Sequence, residues 1–256
     1  QIADTNLLQL NTGLDNERKV LIVSLSYRWP GSCCRPIQLN SCLSGCGDAL
    51  SVTPTQRWVV EEQVDVRSLS GDQLKCVQHG AYVEAELFDK DSFNLIPAEV
   101  IEMDPQQRVL LELGYDAMHM LGWRRSRLIS SDLGHLLGMS KADWSRYQYA
   151  RRGGYGKYSV YATTCDSNTV ASGRLSFIFG LQGPCQTVDT ACSSALVALH
   201  NAALMTRTST CEAAAVTSVR LELTMQHSLD AAFAKMLSLD GRCWTLDKRA
   251  NGYVSS

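Results

Sequence analysis

The segment Val188-Asp189-Thr190-Ala191-Cys192-Ser193-Ser194-Ala195-Leu196-Val197-Ala198-Leu199-His200 sets a cysteine between a short run of strand character and a strongly apolar stretch. With the second stretch helical, the Cys192 thiol stands at a helix N-terminus. Unpaired N–H groups and a partial positive charge there can lower a thiol pKa from about 8.5 into the range of about 3.5–7.5. A thiolate attacks thioester carbonyls at neutral pH, and the same N–H groups can hydrogen-bond the oxyanion that forms. Ala191, Ser193, Ser194 and Ala195 are small and leave room for an acyl chain. The competing reading is an ordinary buried thiol, because free cysteine behaves as a small core hydrophobe. Spacing alone does not decide between them.

The five histidines are His79, His119, His135, His200 and His227. His200 lies eight residues beyond Cys192 on the same expected helix, about 12 Å away at the helical rise. That is beyond hydrogen-bond reach, so His200 reads as structural. Lys235, Asp247 and Lys248 read as solvated or structural charges. Ten cysteines are scattered along the chain, and reduced, mostly buried thiols are expected. The densest group is Cys33, Cys34, Cys42 and Cys46, whose last pair has a C-x3-C spacing that zinc could use. No second pair or His motif follows at finger spacing, so no metal site is expected.

The elements that must position Cys192 are legible on either side of it. Gln186 to Asp189 reads as a short strand, Ala191 to Met205 as a helix and Glu212 to Val219 as another apolar strand. Upstream, Asp104-Pro105 opens a helix, since Asp caps free N–H groups and Pro is tolerated at the first helical position. Val109, Leu110, Leu113, Ala117 and Leu121 follow at helical spacing, and Gly122 ends it. Leu133 to Met139 reads as a strand, and Asp166 to Phe177 as a helix before the turn Gly180-Leu181-Gln182-Gly183-Pro184. Lys19 to Ser26 reads as a buried strand, and residues 31 to 80 as a long surface excursion with short helices. The alternation defines an α/β class, with no repeat and no low-complexity tract.

A net charge of −2 over 256 residues gives no footprint for nucleic acid or an anionic membrane. No apolar run approaches the roughly 18 residues of a spanning helix. An intracellular, cytoplasmic location is expected, with a plastid or other organelle left open because the chain starts at Gln1 rather than at a methionine.

The run Asp189-Thr190-Ala191-Cys192-Ser193-Ser194, followed by Leu196 to His200, closely resembles the active-site motif of polyketide β-ketoacyl synthases. Met103-Asp104-Pro105-Gln106-Gln107-Arg108, Ala171-Ser172-Gly173-Arg174-Leu175-Ser176, Gly180 to Pro184, Leu239-Asp240-Gly241-Arg242-Cys243 and Gly252-Tyr253-Val254 are similar to further family landmarks, in family order. Weaker likenesses lie in Arg28 to Gly31, in Pro54 with Arg57-Trp58, and in Phe88-Asp89 with Phe93. The resemblance spans roughly residues 19 to 256, leaving 1–18 as an extension.

The resemblance implies the amino-terminal half of a thiolase-like, layered αβαβα fold and a homodimer. It implies Cys192 as the nucleophile of a decarboxylative Claisen condensation, with no cofactor bound directly. Acyl and malonyl substrates would be carried on the phosphopantetheine of an acyl carrier protein. The family's two assisting histidines are expected beyond Ser256, so that this polypeptide alone would not complete condensation. Ser24 stands where the family usually has glycine, Asn94-Leu95-Ile96 replaces a common Gly-Ile-Ser, and Thr217-Ser218 replaces a glycine pair. The last change leads one to expect a displaced strand after the nucleophile helix. Two alternatives are a thiolase-branch coenzyme A enzyme, against which the Asp104 to Arg108 motif argues, and a catalytically silent ketosynthase-like partner, against which the retained cysteine argues.

Overall fold

Leu133–Gly138 is a strand buried along its whole length, and the rest of the architecture follows from covering both of its faces. The structure, a computed structural model, describes residues 19–152 and 159–255. The extension expected at 1–18 lies outside them. In chain order the helices and strands are α1 (Pro36–Ser44), β1 (Leu50–Val52), α2 (Val60–Gln63), α3 (Gly71–Cys76), β2 (His79–Ala81), α4 (Pro97–Glu102), α5 (Pro105–Met120) and α6 (Arg125–Leu128). There follow β3 (Leu133–Gly138), α7 (Trp144–Arg151), α8 (Asn168–Phe179), β4 (Cys185–Val188), α9 (Ser194–Arg207), β5 (Ala213–Ser218) and α10 (Gln226–Phe233).

The central sheet has the order β4-β3-β5, and both pairings are parallel. Side chains alternate across a strand. Leu133, His135 and Leu137 therefore face one side, where Leu133 joins a core with Leu111 and Leu175, and Leu137 joins one with Leu110 and Ala171. Leu136 faces the other side and packs with Ala198 and Ala202 of α9. The result is three layers, with α5 and α8 on one face and α9 on the other.

Local chemistry sets the helix ends. Asp104 caps α5 by accepting the Gln106 N–H at 2.7 Å, Pro105 occupies the first helical position, and Gly122 beyond its end has φ +72°. Gly180, with φ +70°, stops α8 in the same way. In the excursion, Ser70 and Gln73 form a capping box at α3, and β1 pairs antiparallel with β2.

Two expectations are corrected. The apolar run at 19–26 is neither paired as a strand nor buried: Leu21, Ile22, Val23 and Leu25 are between 59% and 68% exposed. A strand needs a neighbour to take its backbone groups, and among the described residues the sheet offers this run none. The cysteines are not mostly buried either. Cys33, Cys76, Cys165 and Cys211 are buried, Cys42 is half-buried, and Cys34, Cys46, Cys185, Cys192 and Cys243 are exposed.

Candidate active site

Cys192 lies in the five-residue connection between β4 and α9, and its side chain is exposed. The helix begins at Ser194, three residues later than the sequence pattern suggests, because Ala191 adopts a left-handed backbone with φ +56°. For a residue with a Cβ this conformation costs roughly 1–2 kcal/mol. The surrounding turn holds it there. Asp189 Oδ1 accepts the Ala191 N–H at 3.0 Å, and the Ser193 hydroxyl donates to the Thr190 carbonyl at 2.8 Å. Ser194, 4% exposed, accepts the Thr190 N–H at 2.9 Å and donates to the Ala191 carbonyl at 2.7 Å.

The amides of the turn are arranged differently from a bare helix N-terminus. Those of Ser193 and Ser194 donate back to the carbonyls of Thr190 and Ala191, at 3.4 and 3.1 Å. None of these bonds uses the Cys192 N–H, which leaves it as the amide of the turn nearest the sulfur. A strained strand–turn–helix that exposes a thiol beside its own N–H can present a nucleophile to a carbonyl and one donor to the resulting oxyanion.

The sheet fixes this turn from below. A Cβ placed on Gly138, at the end of β3, would lie 2.7 Å from both the Ala195 nitrogen and the Ser194 carbonyl carbon, so glycine is what lets the first turn of α9 sit on the strand. Its sequence signal was the glycine one residue before the end of the run Leu133 to Met139. Ser194 carried a signal too, as the second serine after the cysteine, but its bridging role was visible only in the structure.

Beneath the other face runs a buried polar chain that sequence reasoning missed. His135, fully buried in β3, lies 3.0 Å from the Ser172 carbonyl through Nδ1 and 2.9 Å from Thr217 Oγ1 through Nε2. A carbonyl only accepts, so Nδ1 carries the proton and the Thr217 hydroxyl donates to Nε2. Burial lowers the His135 pKa from 6.5 to about 4, which keeps the ring neutral. Ser172 Oγ continues to Thr187 Oγ1 of β4 at 2.8 Å, and Thr187 donates to the Asn168 carbonyl at 2.9 Å. Thr217 and Ser218 are accommodated in the sheet: all six residues of β5 pair in register with β3, and the Ser218 hydroxyl donates to the Gly138 carbonyl at 2.9 Å. At 217 the side chain satisfies a buried imidazole.

Asp104, also fully buried, has its carboxyl pushed up to about 7 by burial, against the pull of the Gln106 backbone and side-chain donors. The other residues weighed from the sequence stand apart from the cysteine turn. His200 is exposed on α9, Lys235 and Lys248 are exposed, and Asp247 forms an ion pair with Arg249 at 2.9 Å. His227 lies 3.5 Å from Glu222, and His79 lies 3.2 Å from the Lys75 carbonyl. Among the described residues no group of three or more His, Cys, Asp or Glu side chains is arranged to hold a metal ion.

Fold and site together define an α/β protein that displays a thiol on a strand–turn–helix. Residues 17–256 match the model of the beta-ketoacyl synthase N-terminal domain, and the chain belongs to that family. It is 34% identical over 240 residues to a spectinabilin polyketide synthase system protein of Streptomyces orinoci, covering 93% of this chain and 6% of that one. Among solved structures, the ketosynthase from module 6 of the bacillaene synthase of Bacillus subtilis 168 is 30% identical with a TM-score of 0.76. The match covers 91% of this chain and 38% of that one. An oxazolomycin ketosynthase domain of Streptomyces albus JA3453 is 26% identical, with a TM-score of 0.76 over 91% of this chain and 40% of its own. The fold is that of the amino-terminal part of these ketosynthases. The chain therefore spans a small fraction of its curated relatives and well under half of the solved chains.

Proposed function

We propose that this chain supplies the nucleophile-bearing part of a β-ketoacyl synthase acting in polyketide chain elongation, with Cys192 as the acyl-carrying residue. The observation that carries the reading is the exposed Cys192 next to a left-handed Ala191, in a turn tied by Asp189, Ser193 and Ser194 and seated on Gly138. Strain of this kind persists where the surrounding structure over-determines it, and it concentrates at reactive sites.

In the first half-reaction the Cys192 thiolate attacks the carbonyl of an acyl thioester. The tetrahedral oxyanion draws on the Cys192 N–H, and collapse expels the carrier thiol to leave an acyl-enzyme. In the second, a malonyl thioester loses carbon dioxide, and the resulting carbanion attacks the acyl carbonyl and releases the Cys192 thiolate. Histidines assist that step in the family, and none of this chain's five matches their motifs. The phosphopantetheine arm of an acyl carrier protein is the carrier expected for both thioesters.

We read 19–256 as one synthase domain preceded by an extension, a division supported by a family match that begins at residue 17. A homodimer fits the open edge of β4 and exposed apolar side chains such as Phe177 and Leu196. An intracellular, reducing location fits ten unpaired thiols. No helix among the described residues is long and apolar enough to cross a membrane.

The test is mass spectrometry after incubation with an acyl thioester and, separately, with a thiolate-selective alkylating inhibitor. One acyl group is expected on Cys192 and none in Cys192→Ala. A folded protein whose Cys192 stays unmodified while another residue takes the acyl group overturns the assignment.

A further inference from the structure

Outside the candidate active site, two thiols lie near each other at the start of the excursion. Cys33 lies in the turn before α1. Its carbonyl accepts the Trp29 N–H at 3.1 Å, and the residue is 4% exposed. Its Sγ lies 3.6 Å from the Gly31 carbonyl oxygen and 4.0 Å from that of Gln38. Inside an α-helix the carbonyl of one residue receives the N–H of the residue four places on, so the Gln38 oxygen marks the place where Cys42 stands on α1. The Cys33 sulfur thus reaches the root of Cys42 on α1.

Cys42 also lies close to Gly47. A Cβ on Gly47 would lie 2.7 Å from the Cys42 sulfur, and the Gly47 N–H donates to the Cys42 carbonyl at 2.7 Å. The side chain is half-buried rather than sealed, so a small oxidant can reach it. Burial and the neighbouring Cys42 both raise the Cys33 thiol, which stays protonated as the resolving partner.

We propose that Cys33 and Cys42 form a modification site, a dithiol that a small peroxide oxidises to an intramolecular disulfide across the turn before α1. The Cys42 sulfur attacks one oxygen of hydrogen peroxide; the O–O bond breaks, and the departing hydroxide leaves as water with the thiol proton, giving a sulfenic acid. The Cys33 sulfur then attacks the sulfenic sulfur, the S–O bond breaks, and the Cys33 proton leaves with the hydroxyl as a second water. Two thiols are oxidised by two electrons and one peroxide is reduced to two waters. The product ties the start of α1 to its end, next to the segment where Asp48 pairs with Arg242 at 2.5 Å.

The experiment exposes the folded full chain to hydrogen peroxide, alkylates the remaining thiols and weighs the peptide carrying residues 29–57, which holds Cys33, Cys34, Cys42 and Cys46. The expected product is 2 Da lighter and takes two alkyl groups in place of four, a change reversed by dithiothreitol. It persists in the Cys34→Ser/Cys46→Ser double variant and disappears in Cys42→Ser, whose half-buried site tolerates a hydroxyl. Four alkylatable thiols in this peptide at peroxide levels that oxidise exposed Cys192 would overturn the proposal. So would a disulfide that survives Cys42→Ser. The readout is independent of acyl transfer, so it stands or falls apart from the role of Cys192.

Discussion

The sheet that carries Cys192 and the amino-terminal run at 19–26 use the same kind of sequence to opposite ends. Both are short and rich in Leu, Val and Ile. In β3, Leu136 and Leu137 are 0% exposed, because β4 and β5 flank the strand while α5, α8 and α9 cover it. In the amino-terminal run, Leu21 to Val23 lie at or above 59% exposed, with no strand among the described residues beside them. Hydrophobic pattern therefore specifies what an element can bury, and the neighbours supplied by the rest of the chain decide whether it does. The cysteine turn is seated on this sheet and tied by the hydrogen bonds of Asp189, Ser193 and Ser194, which is how a strained Ala191 is sustained there.

The sharpest break of that comparison is at Gly138. A Val side chain in its place would collide with the backbone of Ser194 and Ala195. Overpacking against backbone that cannot move is expected to cost about 3 kcal/mol, seen as a lower urea midpoint, together with slower alkylation of Cys192. The matching control in the excursion is Gly71→Ala, at the first position of α3. Nothing lies within 4 Å of the added Cβ, and its stability change should stay within about 0.5 kcal/mol. Equal losses at the two positions would refute the claim that the turn is seated on Gly138.

A second break is through pH. His135 holds a neutral ring in the fold, with a pKa of about 4 against 6.5 in the unfolded chain. Below pH 6.5 the unfolded state takes up a proton that the folded state refuses, so this contribution is full above 6.5 and is lost as pH falls toward 4. Asp104 acts with the opposite sign: its folded carboxyl holds a proton up to about pH 7 that the unfolded chain releases near 4, so its contribution falls as pH rises across that window. Only a difference isolates the histidine. The stability of the native chain minus that of His135→Val should fall by about 2 kcal/mol between pH 6.5 and 5, measured by urea denaturation. A difference that does not change with pH would place the His135 ring in water.

How much of this was legible in sequence follows the same division. The helix from Asp104-Pro105 to Gly122, the strand from Leu133 and the strand–helix–strand run around Cys192 appear within a few residues of where the pattern puts them, because their partners lie close in the chain. Cys192 stood out in its motif as the candidate nucleophile. The delayed start of α9 was not, since it depends on hydrogen bonds from Asp189, Ser193 and Ser194 that spacing does not reveal. The partnership of His135 with Thr217 joins residues 82 positions apart, and each alone looks like a departure: a titratable side chain inside an apolar strand, and a hydroxyl where glycine was expected. Only their adjacency explains both. The strand expected at 19–26 failed for the converse reason, as apolar periodicity carries no information about whether a pairing partner exists.

The smallest expected effect sharpens the comparison most directly. Leu25 is 68% exposed, so Leu25→Ala removes little surface that folding hides, and the urea midpoint should move by no more than about 0.5 kcal/mol equivalent. Leu137→Ala deletes the same atoms from a site with 0% exposure between α5, α8 and β5 and should cost roughly 2–5 kcal/mol. The pair holds chemistry fixed and varies only the surroundings. If Leu25→Ala instead costs as much as Leu137→Ala, the amino-terminal run is covered in solution, and protection of its backbone amides from hydrogen exchange would show a strand paired there. A small loss with fast exchange means that the run contributes nothing to the fold of the described chain, whose stability then rests on the layers around β3.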